Sequence, residues 1–578
     1  MPLYEPGILE QSLVAVDKAA VLATSVISNC IFWRSAHGKP IDGCLPDVSF
    51  EGAQRRAAMG RDILDLLRDV DDGRLPHEYA LTAKLARFFA QAWSQDADRY
   101  WLAIDVMENT FYGPFVQTAY TGGFVFNELR AALSEFAFRR DGDGDRYLLL
   151  LSDVAHFLAQ IHARTAGQAA RGIRIHKPQL PGVRTLLAGL RDTAAASYPV
   201  NAARLAALSN ADALAAEIRR RMDHLILPAF DALIVQLDER YESLAPDGVG
   251  MDKLPGGAAV YADLLRMHTT LDLTAEQVHA AGHARMARIQ AEMGEVRKQL
   301  GFTGTEAAFA VHLRRQPGAI ATSADDIGAK MRRHKDRVEA RFDEFFARRS
   351  DWQCDLERLP AALESGMTWG YYSRPVGNEK RGLYYYNGSK LDSQAVIAAA
   401  SLVFHELVPG HHLHLTSQMS NPHLSEFRRT CVVNAFNEGW AEYAATLAGE
   451  MGLYDDPYDR YGRLSQDAFL TCRLVVDTGM NVLGWSWEQA RQYMREHTMC
   501  AEGEIESDTL RYACGIPAQS LAYKLGDEEI LRMRQQVQTR LKEQFSFRDF
   551  HSAVLGCGAL PLPTLEWHLQ RVFPEAAA

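Results

Sequence analysis

The chain has 578 residues, 47% of them hydrophobic, with a net charge of -11 and a pI near 6.0. That length can bury a large core as several subdomains or one two-lobed unit, and the acidic balance excludes the basic stripe of a nucleic-acid binder. Its eight cysteines contain no C-x-x-C pair, which argues against a disulfide framework or a cysteine zinc site and fits a reducing cytoplasm.

The first residues lack the basic start and small-residue cleavage site of a signal peptide, and Glu10 and Asp17 precede the first apolar run. That run, from 19 to 33, carries Ser25, Ser28 and Asn29. It is too short to span a bilayer, which predicts a buried helix, a cytoplasmic location and no membrane partner. Apolar positions at three- and four-residue spacing predict helices over 53–70, 204–241 and 275–300. Asp141-Gly142-Asp143-Gly144-Asp145 begins like a calcium loop. Arg146 and Ser152 stand where that loop needs Gly and Glu, so the segment reads as an acidic surface turn. Segments 177–182 and 245–257 read as breaks. Gly248 and Gly250 lack the third glycine of a dinucleotide site. Gly382-Leu383-Tyr384-Tyr385-Tyr386-Asn387 alternates between turn residues and predicts a strand just ahead of the helix bearing His405. The expected fold is mainly α: a large two-lobed helical protein with a small β-sheet beside an active-site cleft. Residues 1–250 form the helical lobe and 251–578 the lobe that carries the chemistry.

That chemistry centres on His405-Glu406-Leu407-Val408-Pro409-Gly410-His411-His412-Leu413-His414, followed by Asn437-Glu438-Gly439-Trp440. A zinc hydrolase needs three protein ligands, an open fourth position and a carboxylate to deprotonate water. The short form is His-Glu-x-x-His, with both His on one helical face; here Pro409 occupies the position of the second His. On an unbroken helix His412 returns to within about 20° of His405, whereas His411 lies about 120° away. Pro409 lacks an N–H and its ring clashes with the carbonyl four residues back, and Gly410 loosens the backbone further. A widened turn then swings His411 towards the ligand position. Backbone geometry alone does not choose between His411 and His412. Glu406 is the natural general base. Glu438 is placed to be the third ligand, and Glu442, one turn on, is placed to hold a ligand His through its other N–H. Asn434 lies on the same face.

The segment His405-Glu406-x-x-Pro409-Gly410-His411-His412 resembles the signature of the DUF885 family of zinc metallopeptidases, whose substrates are unassigned. Further matches follow in the same order. They are Gly257-Ala258-Ala259-Val260-Tyr261, His268-Thr269-Thr270, Asn437-Glu438-Gly439-Trp440-Ala441, Arg473 to Gly479, Arg511-Tyr512, Pro517-x-Gln519 and Phe550-His551. The family in turn is similar to gluzincin peptidases. Asn437-Glu438-Gly439 resembles a motif of membrane-alanyl aminopeptidases, and Gly410-His411-x-Leu413-His414 one of thimet-type oligopeptidases. Both comparisons imply one zinc ion on His405, His411 and Glu438, with His412 the alternative.

The resemblance also implies a zinc-dependent hydrolase of amide bonds in small peptides or peptide-like metabolites, with Glu406 as general base. Arg511, Tyr512 and Tyr523, with Lys524 behind them, are its candidates for steadying the oxyanion or anchoring the substrate. Tyr371, Tyr372 and Tyr384 to Tyr386 read equally as a peptide-pairing strand or a core strand. Two positions depart from the family: Asn481 where its pattern continues with His, and His414 where Gln is more usual. Asn cannot transfer a proton near neutral pH. That motivates a second expectation, a zinc-dependent biosynthetic enzyme acting on a non-peptide metabolite. The oligomeric state stays open.

Overall fold

A computed structural model describes residues 6–36, 39–41, 43–107, 112–316, 319–360, 364, 370–375, 380–391 and 393–574; residues 1–5, read above for a leader, lie outside them. The protein is 68% helix and 4% strand, the mainly α architecture expected from periodicity. It divides into two compact units, Met1–Leu264 with Leu510–Pro517, and Leu265–Thr509 with Ala518–Ala578.

The first unit is a helical assembly around Trp93, Tyr112, Phe115, Tyr147 and Phe157, all fully buried. Its first helix runs from Pro6 to Ser28, longer and earlier than the expected 19–33 segment. Glu10, Gln11, Asp17, Lys18 and Ser25 line its exposed side. The acidic run at 141–145 is not a turn but the start of the Asp141–Ala170 helix. There Asp143 accepts the backbone N–H groups of Arg139 and Arg140 at 2.8 and 3.0 Å, and acidic residues favour the positive end of the helix dipole. The 204–241 segment breaks into several short helices, with a wide turn at Met222–Ile226 just before Pro228. Leu510–Pro517 docks late in the chain, with the Gly515 carbonyl so close to Gly113 that a Cβ on Gly113 would lie 2.1 Å from it.

In the second unit the elements used below are α1 (Ala275–Gln299), α2 (Ala324–Glu339), β1 (Gln353–Arg358), β2 (Gly370–Ser373), β3 (Arg381–Tyr386), α3 (Ala399–Glu406), α4 (His411–Ser420), α5 (Asn434–Glu450), α6 (Pro457–Asn481), α7 (Trp487–His497) and α8 (Ala522–Leu541). Thr274 caps α1 in a reciprocal box with Gln277, which fixes the start that periodicity predicts. β3 is the central strand of the sheet, parallel to β1 and antiparallel to β2. With Tyr384 and Tyr386 buried, the tyrosine run of β3 is a core strand. α6 is buried on nearly every face from Tyr461 to Asn481, as a helix at the centre of a core must be. α3 packs against α2, α5 and α6, which sets its last two residues, His405 and Glu406, among three other helices.

Candidate metal centre

α3 is apolar and buried from Ala399 to Phe404, and it stops at Glu406. Leu407 turns to φ -106°, ψ -108°, outside helical values, and α4 begins afresh at His411. The widened turn expected from Pro409-Gly410 is therefore a full break between two helices. Gly410 is indispensable to it, because a Cβ there would lie 1.8 Å from the His405 carbonyl oxygen. The Val408–Pro409 peptide is cis. The His412 N–H reaches back to the Leu407 carbonyl at 3.1 Å, and Trp440 Nε1 donates to the Pro409 carbonyl at 3.0 Å. The Trp of the Asn-Glu-Gly-Trp motif thus clamps the linker that delivers His411.

α5 brings the carboxylates. Asn437 Oδ1 accepts the Val433 N–H at 3.2 Å at the start of the helix. Gly439 lies against Gly526 of α8, where a Cβ would meet the Gly526 carbonyl carbon at 2.7 Å. This bare crossing lets α5 and α8 approach closely. Glu438 and Glu442 then face α3 together.

His405, His411 and Glu438 converge, each offering one ligand atom within 4.8 Å of the others. Glu438 Oε2 lies 3.7 Å from His405 Nε2 and 3.3 Å from His411 Nε2. Tetrahedral zinc with bonds of about 2.0–2.1 Å holds its ligand atoms about 3.4 Å apart, so the donors fit that ion in type and Glu438 lies near that spacing from both imidazoles. His405 is steadied from behind, its Nδ1 donating to Glu442 Oε1 at 2.8 Å. His411 has no such support: its Nδ1 is buried without a hydrogen-bond partner among the described residues.

Glu442, 0% exposed, also accepts Arg463 at 3.0 Å and Lys524 at 3.1 Å. Lys524 in turn meets Asp467 at 3.1 Å and Asp527 at 2.6 Å. Burial opposes the Glu442 charge, but Arg463, Lys524 and His405 hold its pKa well below the carboxylate range. Glu438 is likewise held low by His405 and His411 against the cost of burial. Burial works against a charged His405, yet Glu438, Glu442 and Glu406 raise its pKa to about 10. Surroundings that favour a proton there so strongly favour positive charge at this point in general. Glu406 is different. Burial raises its pKa, with His405 and His411 opposing and Glu438 and Glu442 adding to the rise, which suits a group that must take up a proton.

A model of a family described as bacterial protein of unknown function, DUF885, matches residues 32–569. The chain belongs to the DUF885 family. Its fold is similar to the crystal structure of a "putative lipoprotein" from Colwellia psychrerythraea, with a TM-score of 0.82 and 24% identity over 98% of each chain. It is also similar to a "putative lipoprotein of unknown function" from Shewanella oneidensis, with a TM-score of 0.70 and 18% identity over 96% of this chain and 98% of that one. At these identities the likeness is one of fold. No curated protein matches the chain. The cytoplasmic location expected from composition finds no support in these relatives. The 19–33 reading also underestimates the first helix: Gly7–Ser28 is, among the described residues, long and apolar enough to cross a membrane, with a mean hydropathy of 1.2 and 33% of it buried.

The other residues singled out by sequence take varied places in this DUF885 protein. His412 points to the sheet, donating from Nε2 to the Trp352 carbonyl at 2.9 Å and accepting the Tyr372 hydroxyl at Nδ1, also at 2.9 Å. His414 is buried and bonds Gln418 at 3.1 Å, and burial lowers its pKa to about 3. The Tyr523 ring lies almost parallel to that of His405, 6.2 Å away at 11°, with the Arg473 guanidinium 4.7 Å above it. Arg511 and Tyr512 belong to the first unit, where Tyr512 is fully buried and Arg511 lies over the Tyr120 ring. Lys524 is enclosed behind Glu442. Asn481 is fully buried and donates to the Asp477 carbonyl and side chain, both at 2.9 Å. Asp477 also accepts Ala518 N–H and the Ser520 hydroxyl. Position 481 thus helps to hold the chain entering α8.

Sequence reasoning missed Arg463, and it read Tyr372 only as part of a strand, not as the partner of His412. Arg460, Arg463 and Arg473 all lie on α6, and no local signal marks Arg463 as the one that meets Glu442. Burial holds the Tyr372 and Tyr384 phenols above their usual range, and the charge of Glu406 adds to the effect.

Proposed function

We propose that this DUF885 protein is a zinc-dependent hydrolase that cleaves amide bonds in small peptides or peptide-like metabolites. The convergence of two imidazoles and a carboxylate, with Glu406 next in sequence to the first ligand, carries this reading. His405, His411 and Glu438 would hold the ion, which when bound supplies Lewis acidity and lowers the pKa of a coordinated water. Glu442 keeps the His405 ring oriented through Nδ1, so that Nε2 presents its lone pair. Glu406, its proton affinity raised by burial, accepts a proton from the attacking water and returns it to the leaving amine. The Tyr523 ring lies nearly parallel to that of His405, beside the proposed ligand. Asn481 sits in a buried hydrogen-bond network with Asp477, which supports a structural role for that position.

The test is a metal assay joined to turnover of a dipeptide and tripeptide library. The expected result is one zinc per chain, activity abolished by chelation and restored by zinc, and Glu406→Gln retaining the metal while losing about 10²–10⁴-fold in rate. Unchanged turnover in Glu406→Gln refutes the mechanism.

A further inference from the structure

Two histidines of α1 form a second converging pair outside the group just described. His279 and His283 stand one turn apart, with rings edge to face at 4.7 Å and 76° and Nε2 atoms 3.2 Å from each other. Gly282 makes this possible. A Cβ there would lie 2.8 Å from both Leu474 Cβ and Val475 Cγ2, so α1 lies close upon α6. The His279 Nδ1 then reaches the Val475 carbonyl at 3.1 Å and the Thr478 hydroxyl at 2.9 Å. A carbonyl only accepts, so Nδ1 carries the hydrogen and Nε2 turns its lone pair towards His283. On the other side, His283 Nδ1 lies 3.4 Å from the Tyr493 hydroxyl of α7. That hydroxyl either donates or accepts, and so it serves both tautomers of His283. Tyr493 is itself held by His497, stacked on it at 4.1 Å, and by the edge of Trp485 at 5.7 Å.

We propose that His279 and His283 form a second binding site, for a divalent late transition metal, with both Nε2 atoms as ligands. Metal–nitrogen bonds of about 2.0–2.1 Å at angles between square and tetrahedral put two donors about 2.9–3.4 Å apart, which brackets the observed separation. Each ring has a polar group at Nδ1, the arrangement that orients metal-binding histidines. Burial lowers the pKa of both, helped by His283 at the first and by His497 at the second. Both shifts favour the neutral rings a metal requires, and the hydrogen between the two Nε2 atoms has a place at His283 Nδ1, facing the Tyr493 hydroxyl. Two protein ligands make a weaker site than three, and solvent fills the remaining positions. Copper(II) binds it tightest, ahead of nickel(II) and zinc.

Calorimetric titration of the full-length protein with zinc, and separately with copper(II), tests this. The expected result is a weaker class of site that His279→Gln with His283→Gln abolishes and that His405→Gln with His411→Gln leaves in place. Tyr493→Phe keeps both ligands and is expected to weaken that class by roughly tenfold. A weaker class that survives His279→Gln with His283→Gln, or that is missing from the wild-type protein, overturns the proposal.

Discussion

The crossing of α5 and α8 joins the fold to the candidate site at one atom's distance, and Gly439→Ala probes it. An added Cβ would lie 2.7 Å from the Gly526 carbonyl carbon and 2.8 Å from its Cα. The helices would have to part by roughly 0.7 Å to restore an ordinary contact, since backbone atoms cannot rotate away. Overpacking of this kind costs about 1–3 kcal/mol, against a gain of up to about 1 kcal/mol from replacing a helical glycine. Gly449→Ala, on the same helix, is the control, because its new Cβ would meet only Tyr454 Cδ2 at 3.7 Å. The propensity gain is similar for both variants, so their difference isolates the crowding cost. Urea unfolding followed by far-ultraviolet circular dichroism reads it. With a slope of about 3 kcal/mol/M, the Gly439→Ala midpoint falls about 0.3–1 M below that of Gly449→Ala. Glu438 precedes the strained residue, so Gly439→Ala should also bind zinc more weakly. Equal midpoints for the two variants would refute the close-crossing argument.

Three further outcomes are expected. His411→Gln should lose the zinc that His412→Gln retains, measured as metal per chain after dialysis, because both ring nitrogens of His412 already have protein partners. Glu442→Gln should lower zinc affinity about 10–100-fold in chelator competition. It should also cost about 3 kcal/mol in denaturant unfolding, since Arg463 and Lys524 lose a shared anion but keep Thr446, Asp467 and Asp527. Burial lowers the pKa of His176 to about 4, against 6.5 for the free side chain. The unfolded chain therefore takes up a proton that the folded one refuses. The resulting stability is complete above about pH 6.5, is lost as pH falls towards 4, and amounts to about 3 kcal/mol. His176→Phe should flatten the slope of stability against pH in that window.

Local patterns were legible in the sequence where a short-range rule decides the structure. The spacing of apolar residues marked α1, turn residues bracketed β3, and Glu438 and Glu442 were placed on one helical face by their four-residue interval. Where a local signal was open to two readings, the chain made the choice through contacts that spacing does not encode. Pro409-Gly410 announced a disturbed helix, but its full interruption depends on the Gly410 backbone lying against the His405 carbonyl and on the Trp440 clamp. The acidic run at 141–145 reads as a turn, but the Asp143 carboxylate accepts the N–H groups that precede a helix. Arg463, Lys524 and Tyr372 reach Glu442 and His412 only across tertiary distance. The same holds for Asn481, which sequence placed near the chemistry and the fold commits to Asp477.

The return of Leu510–Pro517 to the first unit has a consequence for biosynthesis. A ribosome adds about 5–20 residues each second, so roughly ten to fifty seconds separate the synthesis of Leu264 from that of Pro517. Throughout that interval the nascent first unit lacks the segment whose Gly515 carbonyl abuts Gly113. Its helices can form early, but closure waits until nearly the whole chain has left the tunnel. A fragment ending at residue 264 is therefore an unfinished folding unit, and one that supplies 510–517 in trans would complete it.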